Sequence, residues 1–182
     1  MQKTRHLVYM SLLVALALVL HLIERNIPVP FMTPGAKLGL ANLVTVLALY
    51  TMPRKSDVIK IIVARLFLSS IFGGSVSGLM YGSMGAVFSF IIMIVIKDGL
   101  KEKVSIIGVS AAGAVFHNIG QLLVAAFIVK NIGVMLYLPV LSIAGIVTGI
   151  FVGMAANYVI EHINKLPIFR DIMEIEKRDH HA

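Results

Sequence analysis

Blocks of apolar residues separated by short polar interruptions run through most of this chain. The first, 7–23, is broken only by Ser11 and His21; others follow at 38–52, 58–72, 79–96, 104–129 and 134–160. A helix needs about 20 residues to cross a hydrocarbon core of roughly 30 Å, and these blocks lack the strict alternation of a half-buried strand. The pattern predicts an all-α, polytopic membrane domain over 1–160, with six transmembrane helices and a polar tail at 161–182. The second block is short for a span unless it begins sunk inside the protein.

The interruptions are turn-like. A loop at 24–37 carries Pro28, Pro30 and Pro34; 53–57 is a tight polar connection in which Asp57 is expected to cap the third helix; the glycine-rich stretch at 73–78 and the residues at 130–133 are turns. The stretch Pro34 to Asn42 combines a turn, Lys37 at a helix edge and Asn42 inside the helix. Polar groups are costly in hydrocarbon, so this stretch is expected to form one lip of a binding site on the second helix.

Composition agrees with the pattern: 58% of the 182 residues are hydrophobic and 14% charged. Lys3 and Arg5 before an apolar run resemble the start of a signal peptide, but Glu24, Arg25 and Asn26 follow without a small-residue cleavage pattern, so the first block is taken as a mature helix. The net charge of +7 is spread over short loops rather than gathered in a nucleic-acid patch. Twelve of the sixteen Lys and Arg fall at the N-terminus, around Arg54, around Lys97 and in the tail; Arg25, Lys37 and Lys130 fall on the other face. The positive-inside rule then predicts cytoplasmic termini and an outer proline-rich loop.

The absence of cysteine removes disulfide, thiolate and Cys-based metal chemistry. No phosphate-binding loop, nucleophile elbow, zinc-protease or dinucleotide motif is present, and the nine acidic residues include no Asp-Asp pair to hold magnesium against a diphosphate. No metal site and no cofactor is expected. The polar residues inside the spans are the candidate chemistry. His117 and Gln121 share a face of the fifth helix between Gly113 and Ala125, whose small size is expected to leave room for a ligand, and Asn118 points about 100° away. Arg65 sits roughly 12 Å beyond Asp57 along the third helix, where it snorkels, bonds carbonyls or meets an anionic or carbonyl-bearing ligand; Glu24 is the nearest acidic candidate partner. Lys37, Asn42 and Tyr81 complete the candidate substrate-binding set. Gly145, Gly149 and Gly153 form a stripe expected to serve helix packing.

With Pro34 to Tyr50, Gly73-Gly74-Ser75 and His117 to Gln121 in view, residues 7–160 resemble a small bacterial membrane family. It is labelled heptaprenyl diphosphate synthase component I, or the Gx transporter family. That family is similar to the substrate-binding S components of energy-coupling factor transporters. The resemblance implies a six-helix fold in the bacterial inner membrane, with a ligand site made by the first outer loop and later helices. It also implies docking on a transmembrane coupling subunit with ATPases, through small residues on the first and third helices, here Ser11, Ala15, Ser69 and Gly73. Val19 stands where a further small residue would continue the Ser11 and Ala15 spacing.

Two functions follow as expectations. One is a substrate-binding subunit for uptake of a small organic molecule, vitamin-like or a quinone or isoprenoid precursor, energised by partner proteins. The alternative is a non-catalytic membrane accessory subunit of polyprenyl diphosphate synthesis, partnered with a soluble prenyltransferase. A stand-alone transporter or an assembly factor for a membrane redox complex is a third reading.

Overall fold

A computed structural model describes residues 2–26, 39–72 and 76–165. The described residues form six α-helices and no strand: α1 Gln2–Arg25, α2 Asn42–Thr51, α3 Lys55–Ile71, α4 Val76–Leu100, α5 Ile106–Val129 and α6 Leu138–Ile163. Short 3-10 turns at Lys101–Lys103 and Ile132–Tyr137 precede α5 and α6. Four segments are long and apolar enough to cross a membrane: Thr4–Glu24, Val76–Leu100, Ile106–Val129 and Ile132–Ile163. Their outer faces carry large exposed hydrophobics such as Leu12, Ile143 and Phe151, as lipid contact requires.

The second block behaves differently from its neighbours. Residues 39–41 form a turn rather than helix, with Gly39 at φ +84°, a left-handed conformation that glycine adopts without a Cβ penalty. The Asn42 N–H closes this turn onto the Gly39 carbonyl at 2.8 Å, and α2 begins there. Its 10 residues reach about 15 Å, half of a hydrocarbon core. Val44 through Leu49 are all buried, and α2 touches every other helix of the bundle. A helix apolar on all sides is stable only when covered on all sides, and α2 is the bundle's core. The expectation that this short element lies sunk in the protein matches that position.

Around α2, α5 packs antiparallel against both α4 and α6, and small residues set the spacing. A Cβ added at Gly149 would lie 2.5 Å from Ala111 Cα, and one at Gly153 would lie 2.6 Å from Ile107 Cα, so these glycines let the backbones approach directly. Gly145 faces Asn118 and Ala114. The glycine stripe therefore packs α6 on α5.

At the bundle end that holds the N-terminus, polar side chains tie helix ends together. Asp57 is not the cap of α3: Arg54 holds the N-cap position, and Asp57 sits inside the first turn. There its Oδ2 lies 3.1 Å from His6 Nε2 on α1, and its Oδ1 accepts from Lys60 Nζ at 2.7 Å. Burial alone raises the Asp57 carboxyl, but Lys60 and His6 together outweigh it and hold the carboxyl below its ordinary value. Lys55 pairs with Asp98, and Lys97 donates to the Leu49 carbonyl while lying 4.6 Å from the centre of the Tyr50 ring. Tyr9 donates to Thr51 Oγ1 at 2.9 Å, and Thr51 donates on to the Leu47 carbonyl at 2.7 Å. The last turn of α2 is thus clamped by α1 and α4.

Candidate functional site

The opposite end of the bundle holds a small cavity of about 40 Å³, lined by apolar residues and a few polar side chains. It forms because α1, the turn before α2, α3, α4 and α5 each contribute one face. From α1 come Ala17, His21 and Glu24, spaced four and three apart on one helical stripe; α3 contributes Arg65, Leu66 and Ser69, and α5 contributes His117 and Gln121. Gly39, Ala41 and Asn42 supply the turn, and Gly78 and Gly82 of α4 leave the remaining side without bulk.

Glu24 organises the mouth. It is 3% exposed, and its Oε1 accepts from the backbone N–H of Gly39 and, at 3.3 Å, of Leu40. One carboxylate oxygen therefore pins the start of the α2 segment to the end of α1. The same carboxylate interacts electrostatically with Arg65, itself 7% exposed. A buried charge without a counter-charge is strongly unfavourable, so this pair accounts for Arg65 being tolerated at its depth. The guanidinium is nonetheless under-used: Nε and Nη2 are buried and meet no hydrogen-bond acceptor among the described residues.

Deeper in, Gln121 Nε2 lies 3.1 Å from His117 Nε2 along one face of α5. The His117 ring packs against Gly85: a Cβ there would lie 2.7 Å from the ring's Cε1. Asn42 Oδ1 accepts from Ser89 at 3.2 Å, whereas its Nδ2 is buried without an acceptor among the described residues.

The cavity thus brings together Asn42, Arg65, His117 and Gln121 of the expected substrate-binding set. It does not take in Asn118, whose Nδ2 donates to the Leu141 carbonyl of α6 at 2.7 Å; its 100° offset from His117 turns it into a helix-to-helix clasp. Tyr81 is also elsewhere, buried in a satellite apolar cluster with Val124 and Ala125. The room expected beside Gly113 is filled by Met93, so the small flanks of His117 serve packing against α4. Lys37 and Gly73 lie outside the described residues. Of the expected docking residues, Ser11 and Ala15 are exposed on α1, and Ser11 donates to its own helix at the Leu7 carbonyl; Ser69 lines the cavity instead.

His21 lines the cavity although sequence reasoning had not placed it in the site, and Glu24 had entered only as a partner for Arg65. The spacing of Ala17, His21 and Glu24 was the available signal, since small and polar residues on one stripe of an otherwise apolar helix mark an inward face.

A family model described as heptaprenyl diphosphate synthase component I matches residues 13–159. No curated protein and no solved structure matches the chain. The match takes in α2 to α5 with parts of α1 and α6, and the chain belongs to the heptaprenyl diphosphate synthase component I family.

Proposed function

We propose that the chain is a non-catalytic membrane component of polyprenyl diphosphate synthesis, acting with a separate subunit that carries the chemistry. The family assignment over 13–159 carries this reading, because a synthase component implies a counterpart. The acidic side chains support it. Diphosphate chemistry with magnesium needs carboxylates free to converge on the metal. Among the described residues, Glu24 is held by backbone amides, Asp57 by His6 and Lys60, Asp98 by Lys55, and Glu161 by Asn157 at 2.7 Å. They stand on four different helices and do not converge on one point. The partner in this reading is a soluble prenyltransferase that engages the basic, N-terminal end of the bundle. Affinity purification of the chain from its own membrane is expected to bring down a prenyltransferase whose activity falls when the chain is deleted. Unchanged synthase activity in the deletion strain would refute the proposal.

The position of the cavity favours a second reading. It lies at the end opposite the N-terminus and the basic loops, which is the outer end if all six helices span the inner membrane with cytoplasmic termini. In that arrangement the chain is a capture subunit, similar to the S component of an energy-coupling factor transporter. His117, Gln121 and Asn42 would hydrogen-bond a small organic ligand, and partner proteins docked near Ser11 and Ala15 would supply energy. Combined His117→Ala and Asn42→Ala substitutions are then expected to abolish cellular uptake of the ligand. Normal uptake by the double variant would remove this reading and leave the first intact.

A further inference from the structure

The unsatisfied nitrogens in the cavity share a chemical sign. Arg65 Nε and Nη2 are both donors, both buried, and both without an acceptor among the described residues. They are also the two nitrogens on one side of the guanidinium, whose N–H bonds run parallel and match the two oxygens of a carboxylate or phosphate. Asn42 lines the same cavity, and its Nδ2 is a third buried donor without an acceptor among the described residues. Against them stands Glu24, whose Oε1 is already committed to the Gly39 and Leu40 amides. Glu24 can neutralise Arg65 through space, and Ala17, Ala41, Leu66, Gly78 and Gly82 make much of the remaining cavity lining apolar. Such apolar walls keep the local dielectric low, which strengthens any charge-assisted bond formed there.

We infer that the cavity is a receptor for an oxyanion group, whose oxygens accept from the side-on fork of Arg65 and from the Asn42 amide, with His117 and Gln121 at its inner wall. A cavity of about 40 Å³ suits the head of a ligand, so the remainder of a larger ligand extends out of it. The chemistry is common to two sources: a free phosphate-like anion, or the phosphorylated head of an amphiphile whose tail lies among the apolar helices. The inference rests on the cavity being a ligand site and does not depend on which partner proteins attend the chain.

The test uses the full chain in nanodiscs of phosphatidylcholine, titrated with inorganic phosphate, inorganic diphosphate, farnesyl diphosphate and farnesol, with binding read by calorimetry and native mass spectrometry. At least one phosphorylated probe is expected to bind, and Arg65→Gln is expected to weaken it about tenfold or more, equivalent to about 1.4 kcal/mol. Farnesyl diphosphate binding about tenfold tighter than inorganic diphosphate identifies an amphiphile head; equal affinities identify the free anion. Arg65→Lys, which keeps the charge and loses the fork, and Asn42→Ala, which leaves the Glu24 and Arg65 pair intact, are each expected to weaken binding several-fold, and they decide the matter should Arg65→Gln not fold. Failure of every phosphorylated probe to bind, farnesol binding as tightly as farnesyl diphosphate, or affinity unchanged across the folded variants overturns the inference. Co-purification of a prenyltransferase is measured independently, so an empty cavity leaves the first functional reading standing.

Discussion

Removing Glu24 is the most informative perturbation of the stability of this bundle. Glu24→Ala deletes two things at once: the acceptor for the Gly39 and Leu40 amides, and the counter-charge of Arg65. Both partners are more than nine-tenths buried, so solvent screens them little, and breaking a buried pair by removing one member costs about 3–5 kcal/mol. Arg65→Ala should cost a similar amount by stranding the carboxylate. Losing both leaves no stranded charge, so Glu24→Ala with Arg65→Ala should cost well below the sum, with a coupling of about 2–3 kcal/mol. Glu24→Gln should cost less than Glu24→Ala, because an amide oxygen still accepts from the turn. Unfolding by detergent titration, followed by circular dichroism, measures all four variants. Single-variant losses that add within about 0.5 kcal/mol would show that Glu24 and Arg65 are independent, and the account of why Arg65 is tolerated at that depth would fail.

Three further outcomes follow from the packing and the ion pairs. Gly149→Ala should destabilise by about 1–3 kcal/mol, since its new methyl group would meet the Ala111 backbone and force α5 and α6 apart; a neutral result in thermal unfolding would contradict the close approach. Asn118→Ala should cost about 1–3 kcal/mol by leaving the Leu141 carbonyl without its donor, with no change in ligand affinity, because Asn118 faces α6; weakened binding in a titration would return it to the site. Asp57 has a folded-state value below its ordinary one, so its stabilisation is present above the unfolded carboxylate value of about 3.9 and is lost as pH falls through the lower folded value. Thermal stability of the wild type should therefore fall on acidification below about pH 4 more steeply than that of Asp57→Asn, and parallel pH profiles would rule out the His6 and Lys60 ties as a source of stability.

The element types were legible from the sequence because apolar block length is a direct record of a buried or lipid-facing helix. The role of α2 was only half legible. Its block is short for a span unless it begins sunk in the protein, but nothing in residues 42–51 says which helices surround it, since a helix apolar on every side carries no orientation. His117 and Gln121 were legible as a pair from their i and i+4 spacing, and they are neighbours at 3.1 Å. Asn118 was harder, because a polar residue one position away satisfies the same composition while facing another helix. Gly113 was misjudged for a related reason: a glycine records that something comes close, and here that something is Met93 rather than a ligand. Tyr81 was placed by its nearness to the outer end, yet its ring is held in the cluster around Val124.

The two ends of the bundle divide the chain's polar residues by purpose. Where α1 begins and α4 ends, several charges meet an opposite charge, a carbonyl or a ring: Asp57 with His6 and Lys60, Asp98 with Lys55, and Lys97 with Leu49 and Tyr50. Such satisfied contacts fix helix ends and ask for nothing more. Where α1 ends and α4 begins, Glu24 and Arg65 are matched in charge, yet Glu24 Oε1 accepts from the turn and Arg65 Nε and Nη2 meet no acceptor among the described residues. A structural pair placed only to cancel charge would be more stable with its donors and acceptors joined, as buried donors without acceptors are each costly. This mismatch lies beside the cavity. That coincidence fits the oxyanion receptor inferred for this end, and the basic opposite end is the one proposed to engage the soluble subunit.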